Sequence, residues 1–202
     1  MLIEQISYYT NLIAFIAVIA FWFAFAGLFL FRKKPETGRD KIGIPRSFVG
    51  IALQGVGFGV VWTLRRTPFF SPFVDDLYIL NIILQVLAVV LAGASVWLTM
   101  LAIRELGKQW SLQARLIEDH KLVKTGVYSI VRHPIYTAML GKLIATGLVY
   151  SHWMGLLAAV IVFMIGTRIR TNIEEGLLRD AFGEEFERWR SKVPGLVPFL
   201  KI

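Results

Sequence analysis

The stretch Leu12–Phe31 reads LIAFIAVIAFWFAFAGLFLF, twenty residues without a charge or a proline. At a rise of 1.5 Å per residue such a helix is about 30 Å long, the thickness of the hydrocarbon core of a bilayer. It is apolar on every side, so it has no face to give to water. In lipid, only a helix or a closed barrel satisfies its own backbone. The residues before it, MLIEQISYYTN, hold an acid and no basic run, so the segment is not expected to be a cleavable signal.

Working outward, four further apolar runs follow: Phe48–Leu64, Leu77–Ile103, Tyr136–Tyr150 and Trp153–Gly166. The last two are short and separated only by Ser151-His152, which predicts a tight helical hairpin. The expectation is an all-α polytopic bundle of about five spans, with three in residues 1–103 and a catalytic region over 104–202. Hydrophobic residues at 56%, charged residues at 18% and a mean hydropathy of +0.62 all depart from soluble proteins toward lipid. Gly55 and Gly59 in the second span have a small-xxx-small spacing, which predicts close packing through those two residues.

Nineteen of the 22 Lys and Arg fall in 32–46, 104–132 and the tail from Arg168. A five-span chain puts these three regions on one side. The excess predicts that this side is cytoplasmic, with the N-terminus outside, in an inner or plasma membrane. The net charge of +8 is then a topology signal, and a nucleic-acid partner need not be invoked. The chain has no cysteine, which excludes disulfides and a thiol nucleophile, and its three histidines are far apart, so no metal cluster is expected. The loop TPFFSPFVDD (67–76) is read as an aromatic interfacial anchor.

The chemistry lies in the second half. Residues 104–133 are too long and mixed for a simple connector, and they end in Arg132-His133-Pro134 at the start of the fourth span. Pro134 suits a first helical turn, whose free N–H groups and positive dipole end favour an anion, with Arg132 and His133 beside it. Taken alone, Arg132 is also a snorkelling residue, His133 a cap, and Tyr128 and Tyr136 belt aromatics. A second cluster, TRIRTNIEEGLL (167–178), puts Arg170 and Glu174 four apart on one helix face, with Glu175 adjacent. Ionisable groups at the edge of a span are functional candidates. Beyond it, DAFGEEFERWRSKVPGLVPFL (180–200) reads as an amphipathic helix against the membrane or over a site, ended by Pro194 and Pro198.

The series Leu122-Val123, Gly126-Val127-Tyr128, Arg132-His133-Pro134 with Tyr136, Glu174-Glu175, Phe182-Gly183-Glu184-Glu185-Phe186, Val193-Pro194 and Pro198-Phe199 resembles the isoprenylcysteine carboxyl methyltransferase family and its bacterial and phospholipid N-methyltransferase relatives. Leu106-Gly107 and Trp110-Ser111 fit the bacterial pattern. The similarity covers about residues 104–200. It departs at Val127, where the family often has proline, and after Pro194, where an arginine is often found. The resemblance implies a membrane enzyme that transfers methyl from S-adenosylmethionine without a Rossmann domain. It implies that Leu122, Val123, Gly126, Tyr128, Arg132, His133, Tyr136, Glu174 and Glu175 hold the cofactor, and that Arg170 and Glu174 face the reaction. The acceptor would be a lipophilic or amphiphilic small molecule or membrane lipid: an amine, a prenyl-type carboxylate or a lipid headgroup. Other readings are a nicotinamide-dependent membrane reductase, since sterol reductases have a similar C-terminal hairpin, and a non-catalytic carrier. Oligomeric state, O- versus N-methylation and the choice between Glu174 and Glu175 stay open at this level.

Overall fold

A computed structural model describes residues 2–30, 42–43, 47–66, 77–109, 115–116 and 121–198. The basic residues of 31–41, the aromatic loop 67–76, Trp110-Ser111 and Phe199 lie outside the described residues. Among the described residues, five helices form a bundle: α1 (Leu2–Leu30), α2 (Ser47–Thr63), α3 (Tyr78–Leu106), α4 (Pro134–Tyr150) and α5 (Trp153–Lys192). α1, α3 and α5 are long and apolar enough to cross a bilayer. α2 and α4, with 17 residues each, reach about 25 Å. The protein is an integral membrane helical bundle, as expected, and among the described residues it also holds a short ladder. Ile42–Gly43 (β1) pairs antiparallel with Arg115–Leu116 (β2). That ladder ties the α1–α2 and α3–α4 connections together at one end of the bundle.

α5 carries the second arm of the hairpin into the polar cluster. Its apolar run stops at Gly166, no proline interrupts 167–192, and helix continues through both polar stretches as expected, broken only at Gly183. The part ahead of Gly183 alone is about 45 Å long, more than the hydrocarbon core, so its first stretch crosses and the rest carries on beyond the lipid as far as Gly183. Gly183 itself has φ 50° and ψ −123°, where a side chain is strained.

Side chains inside the bundle hydrogen-bond across helices, as a lipid setting demands. Asn81 Nδ2 of α3 donates to Ser7 Oγ at 2.8 Å and to Asn11 Oδ1 at 3.0 Å of α1. Trp22 Nε1 donates to Thr146 Oγ1 at 3.0 Å. Lys142, wholly buried on α4, sets Nζ 5.2 Å from the centroid of the Trp22 ring, with Phe21 and Phe25 beyond. At the end away from the β-ladder, the α4–α5 hairpin is stitched to the end of α2. His152 N–H and Ser151 Oγ both donate to Leu64 O, at 2.8 and 2.9 Å. The buried Arg66 guanidinium donates to Leu148 O and Val149 O, the last carbonyls of α4.

α2 packs along α5, and the seam differs from the expected Gly55–Gly59 pair. Gly55 and Gly59 are exposed, and a Cβ added to either meets nothing within 4 Å. The buried face is Gly50, Gln54, Gly57 and Val61. These positions recur at 4, 3 and 4 residues, the period of a helix stripe, whereas Gly55 lies a quarter-turn or more off it. Facing them are Ala159, Phe163, Gly166, Thr167 and Arg170, and Gln54 Nε2 donates to Thr167 Oγ1 at 2.9 Å.

Candidate active site

The two polar clusters meet where α4 begins and α5 leaves the bundle. His133 is the N-cap of α4 and Pro134 its first helical residue. The backbone N–H groups just ahead of the helix do not stand open. Arg132 N–H donates to Pro194 O at 2.8 Å and His133 N–H to Gly195 O at 3.0 Å. Thr137 Oγ1 donates to Leu196 O at 2.5 Å. The chain after α5 is thereby fastened across the start of α4.

This fastening needs the chain to double back, and Gly183 is where it does. Arg190 Nε lies 3.1 Å from Glu175 Oε2, although 15 residues of straight helix would separate them by about 22 Å. Arg179 Nε pairs with Glu187 Oε1 at 2.6 Å across the same reversal. The returning segment buries Phe186 and Trp189 against Val127 and Tyr128, with Leu122, Val123 and Ile135 beside them.

The two glutamates are treated differently. Glu175 Oε1 accepts from Arg132 Nε at 2.9 Å and lies 3.0 Å from His133 Nε2, while Oε2 accepts from Arg190. Arg132 Nη1 also donates to Arg190 O at 3.1 Å and to Val193 O. Arg132 is therefore spent on holding Glu175 and the returning segment. Glu174 Oε1 accepts from Tyr136 Oη and lies 3.4 Å from Arg170 Nη2. His133 stands between the pair, with Nδ1 3.7 Å from Glu174 and its ring stacked on Tyr136. The Glu174 side chain is 25% exposed against 12% for Glu175. Arg170 is buried, its guanidinium carbon 5.2 Å from the centroid of the Tyr136 ring.

Tyr128 sits in a 3-10 turn, Gly126–Ser129. Burial, and then the charges of Glu174 and Glu105, push its phenol well above the usual range, so it stays a neutral hydroxyl. Gly126 opens that turn at φ 55°, and a Cβ there would strike the Glu105 carboxylate, which itself accepts from Thr125 Oγ1 at 3.1 Å. In that apolar neighbourhood the buried indole N–H of Trp189 has no acceptor among the described residues.

Arg132, His133, Tyr136, Arg170, Glu174 and Glu175 are thus brought into one cluster. Leu122, Val123, Gly126 and Tyr128 form an adjoining apolar wall. Four contributors were not anticipated. Arg190 carried no local signal, because its partner is reached only through the reversal at Gly183. The carbonyls of Pro194 and Gly195 are backbone groups with no sequence mark. Gly50 of α2, which lies against Arg170, was legible only in the 50, 54, 57, 61 stripe.

A family model for phospholipid methyltransferase matches residues 83–185 of the chain. Protein-S-isoprenylcysteine O-methyltransferase B of Arabidopsis thaliana is 31% identical over 137 residues, covering 68% of this chain and 64% of that protein. The protein-S-isoprenylcysteine O-methyltransferase of Saccharomyces cerevisiae is 35% identical over 82 residues, 41% of this chain and 34% of the relative. That of Schizosaccharomyces pombe is 31% identical over 83 residues, 41% and 35% respectively. The aligned part spans less than two thirds of each of these three relatives.

Proposed function

The chain belongs to the phospholipid methyltransferase family, and from that premise we propose that it transfers a methyl group from S-adenosylmethionine to a lipophilic or amphiphilic acceptor at the membrane face. The observation that carries this reading is the convergence of His133, Tyr136 and Glu174 with Arg170 at one semi-enclosed point. When bound, S-adenosylmethionine supplies an electrophilic methyl on a sulfonium. The residues present fit such a group: a partly exposed carboxylate for its cationic part, and a buried apolar wall with an unpaired indole donor for its nucleoside.

In this reading Leu122, Val123, Tyr128 and the backbone at Gly126 line the nucleoside wall. His133 and Tyr136 hold Glu174 in place, and Glu174 faces the cofactor. Arg132 and Glu175 act behind them as a strut, since both are held by internal partners. Arg170, fixed over Tyr136, faces the acceptor. An anionic oxygen acceptor needs no base and would be oriented by that guanidinium. An amine must first lose a proton, for which Glu174 is the nearest partly exposed carboxylate. Methyl transfer is an in-line displacement, so most of what the chain contributes is alignment. The relatives named as isoprenylcysteine O-methyltransferases make an S-prenylated cysteine carboxylate the first acceptor to try. The excess of Lys and Arg in 32–46, 104–132 and the tail from Arg168 supports a cytoplasmic position for the site.

Calorimetric titration of the purified protein with S-adenosylhomocysteine, with NADPH in parallel, tests the proposal. Micromolar binding of the sulfur nucleoside, weakened at least tenfold by His133→Ala, is the expected result. Binding of NADPH alone would move the chain to the reductases, and binding of neither would favour a carrier.

A further inference from the structure

We propose that Gly50 of α2 is a positioning residue for Arg170, so that the N-terminal half of the chain sets the acceptor side of the site. The inference rests on the methyltransferase reading for its kinetic consequence, but its geometric basis does not. The Arg170 stem occupies the space that a side chain at position 50 would take. A Cβ built on Gly50 comes 3.3 Å from Arg170 Cδ, closer still to Arg170 Cγ, and 2.8 Å from Gly166 O. Cγ lies near the root of the arginine side chain, so it cannot swing aside while its guanidinium stays in place. That guanidinium is the group over the Tyr136 ring and against Glu174. The absence of a side chain at 50 therefore fixes both the approach of α2 to α5 and the path by which Arg170 reaches the site.

The rest of the seam supports a placement this tight. One turn along, Gln54 donates to Thr167 Oγ1 at 2.9 Å, and both residues are buried, which locks the register of α2 beside Gly50. A Cβ on Gly166 would in turn meet Gly50 O at 2.7 Å. The seam also contains its own controls. Gly57 approaches the α5 backbone nearly as closely, where a Cβ would sit 2.9 Å from Ala159 O and 3.1 Å from Phe163 Cβ, but it touches no residue of the site. Gly55, between them, meets nothing within 4 Å.

The test compares Gly50→Ala, Gly57→Ala and Gly55→Ala in the full chain purified in detergent. Three readouts apply: thermal midpoint, affinity for S-adenosylhomocysteine, and turnover with N-acetyl-S-farnesylcysteine and S-adenosylmethionine. Gly50→Ala should lower kcat by about tenfold or more, since misplacement by an ångström costs on that order, and leave nucleoside affinity within about twofold. Gly57→Ala should lower the midpoint with kcat nearly intact, and Gly55→Ala should change neither. Turnover of Gly50→Ala equal to that of the parent, or a kcat loss shared equally by Gly57→Ala, would overturn the proposal. A second arm needs no activity: the midpoint loss from Gly50→Ala should shrink in an Arg170→Ala background, while that from Gly57→Ala stays the same. Equal losses in both backgrounds refute the Gly50–Arg170 coupling. A parent that neither binds the nucleoside nor transfers methyl refutes the methyltransferase reading instead, and the second arm still decides the coupling.

Discussion

Replacing Glu175 by glutamine should destabilise the protein far more than replacing its neighbour Glu174, and the two variants should fail in different assays. Glu175 faces Arg132, His133 and Arg190 at 2.9, 3.0 and 3.1 Å. The first two side chains are only 9% and 7% exposed. Breaking a buried charge pair costs about 3–5 kcal/mol, because the partner is left buried and uncompensated. Glutamine keeps one acceptor oxygen and the same volume, which returns part of that. Arg190 is 42% exposed, so its share is at most about 1 kcal/mol. A net loss of about 2–4 kcal/mol follows, or a drop of roughly 5–15 °C in thermal midpoint for a chain of this size. Glu174 keeps an acceptor for Tyr136 as glutamine and is 25% exposed, so its replacement should cost about 1 kcal/mol. Its effect should appear in nucleoside affinity and methyl transfer, each down by about tenfold or more. Scanning fluorimetry in detergent, followed by calorimetry on the folded fraction, separates the two. Were Glu175→Gln to melt with the parent while Glu174→Gln melted early, the assignment of strut and site carboxylate would be reversed.

Gly183→Ala should loosen the returning segment through backbone strain alone, because nothing lies within 4 Å of the added methyl. The cost is about 1–3 kcal/mol, read as faster limited proteolysis between 184 and 198. The chain has no cysteine, so single cysteines are clean probes of sidedness. Arg65→Cys should react with an impermeant maleimide in intact cells, and Lys124→Cys only after permeabilisation; the reverse pattern would invert the proposed topology.

Much of the fold was legible because lipid leaves a chain few choices. Runs such as Leu12–Phe31 and Leu77–Ile103 can only be helices, and Ser151-His152 leaves room only for a hairpin. The run of α5 past the lipid was legible in 167–178 and 180–200, but its reversal at Gly183 was not, because a positive φ at one glycine leaves no mark on hydropathy or helix periodicity. Glycine spacing misled for a related reason. Gly55–Gly59 and Gly50–Gly57 are both plausible seams, and only the partner helix decides which stripe is buried. At the site, the motif series named side chains that the structure brings together, but not the different partners that Glu174 and Glu175 take. That difference depends on Arg190, whose approach follows from the φ of one glycine rather than from any local pattern.

The fastening of residues 194–196 across the start of α4 has a consequence for biosynthesis. Arg132 and His133 are made about 60 residues before the carbonyls that accept their N–H groups. At 5–20 residues per second the ribosome needs roughly 3–12 s to supply them. During that interval α4 and α5 can enter the bilayer as a hairpin while Glu175 still lacks Arg190. Residues 190–196 follow both helices of the hairpin and complete the site, so membrane insertion precedes completion of the site, and a nascent chain arrested before Arg190 would be inserted yet unable to assemble it.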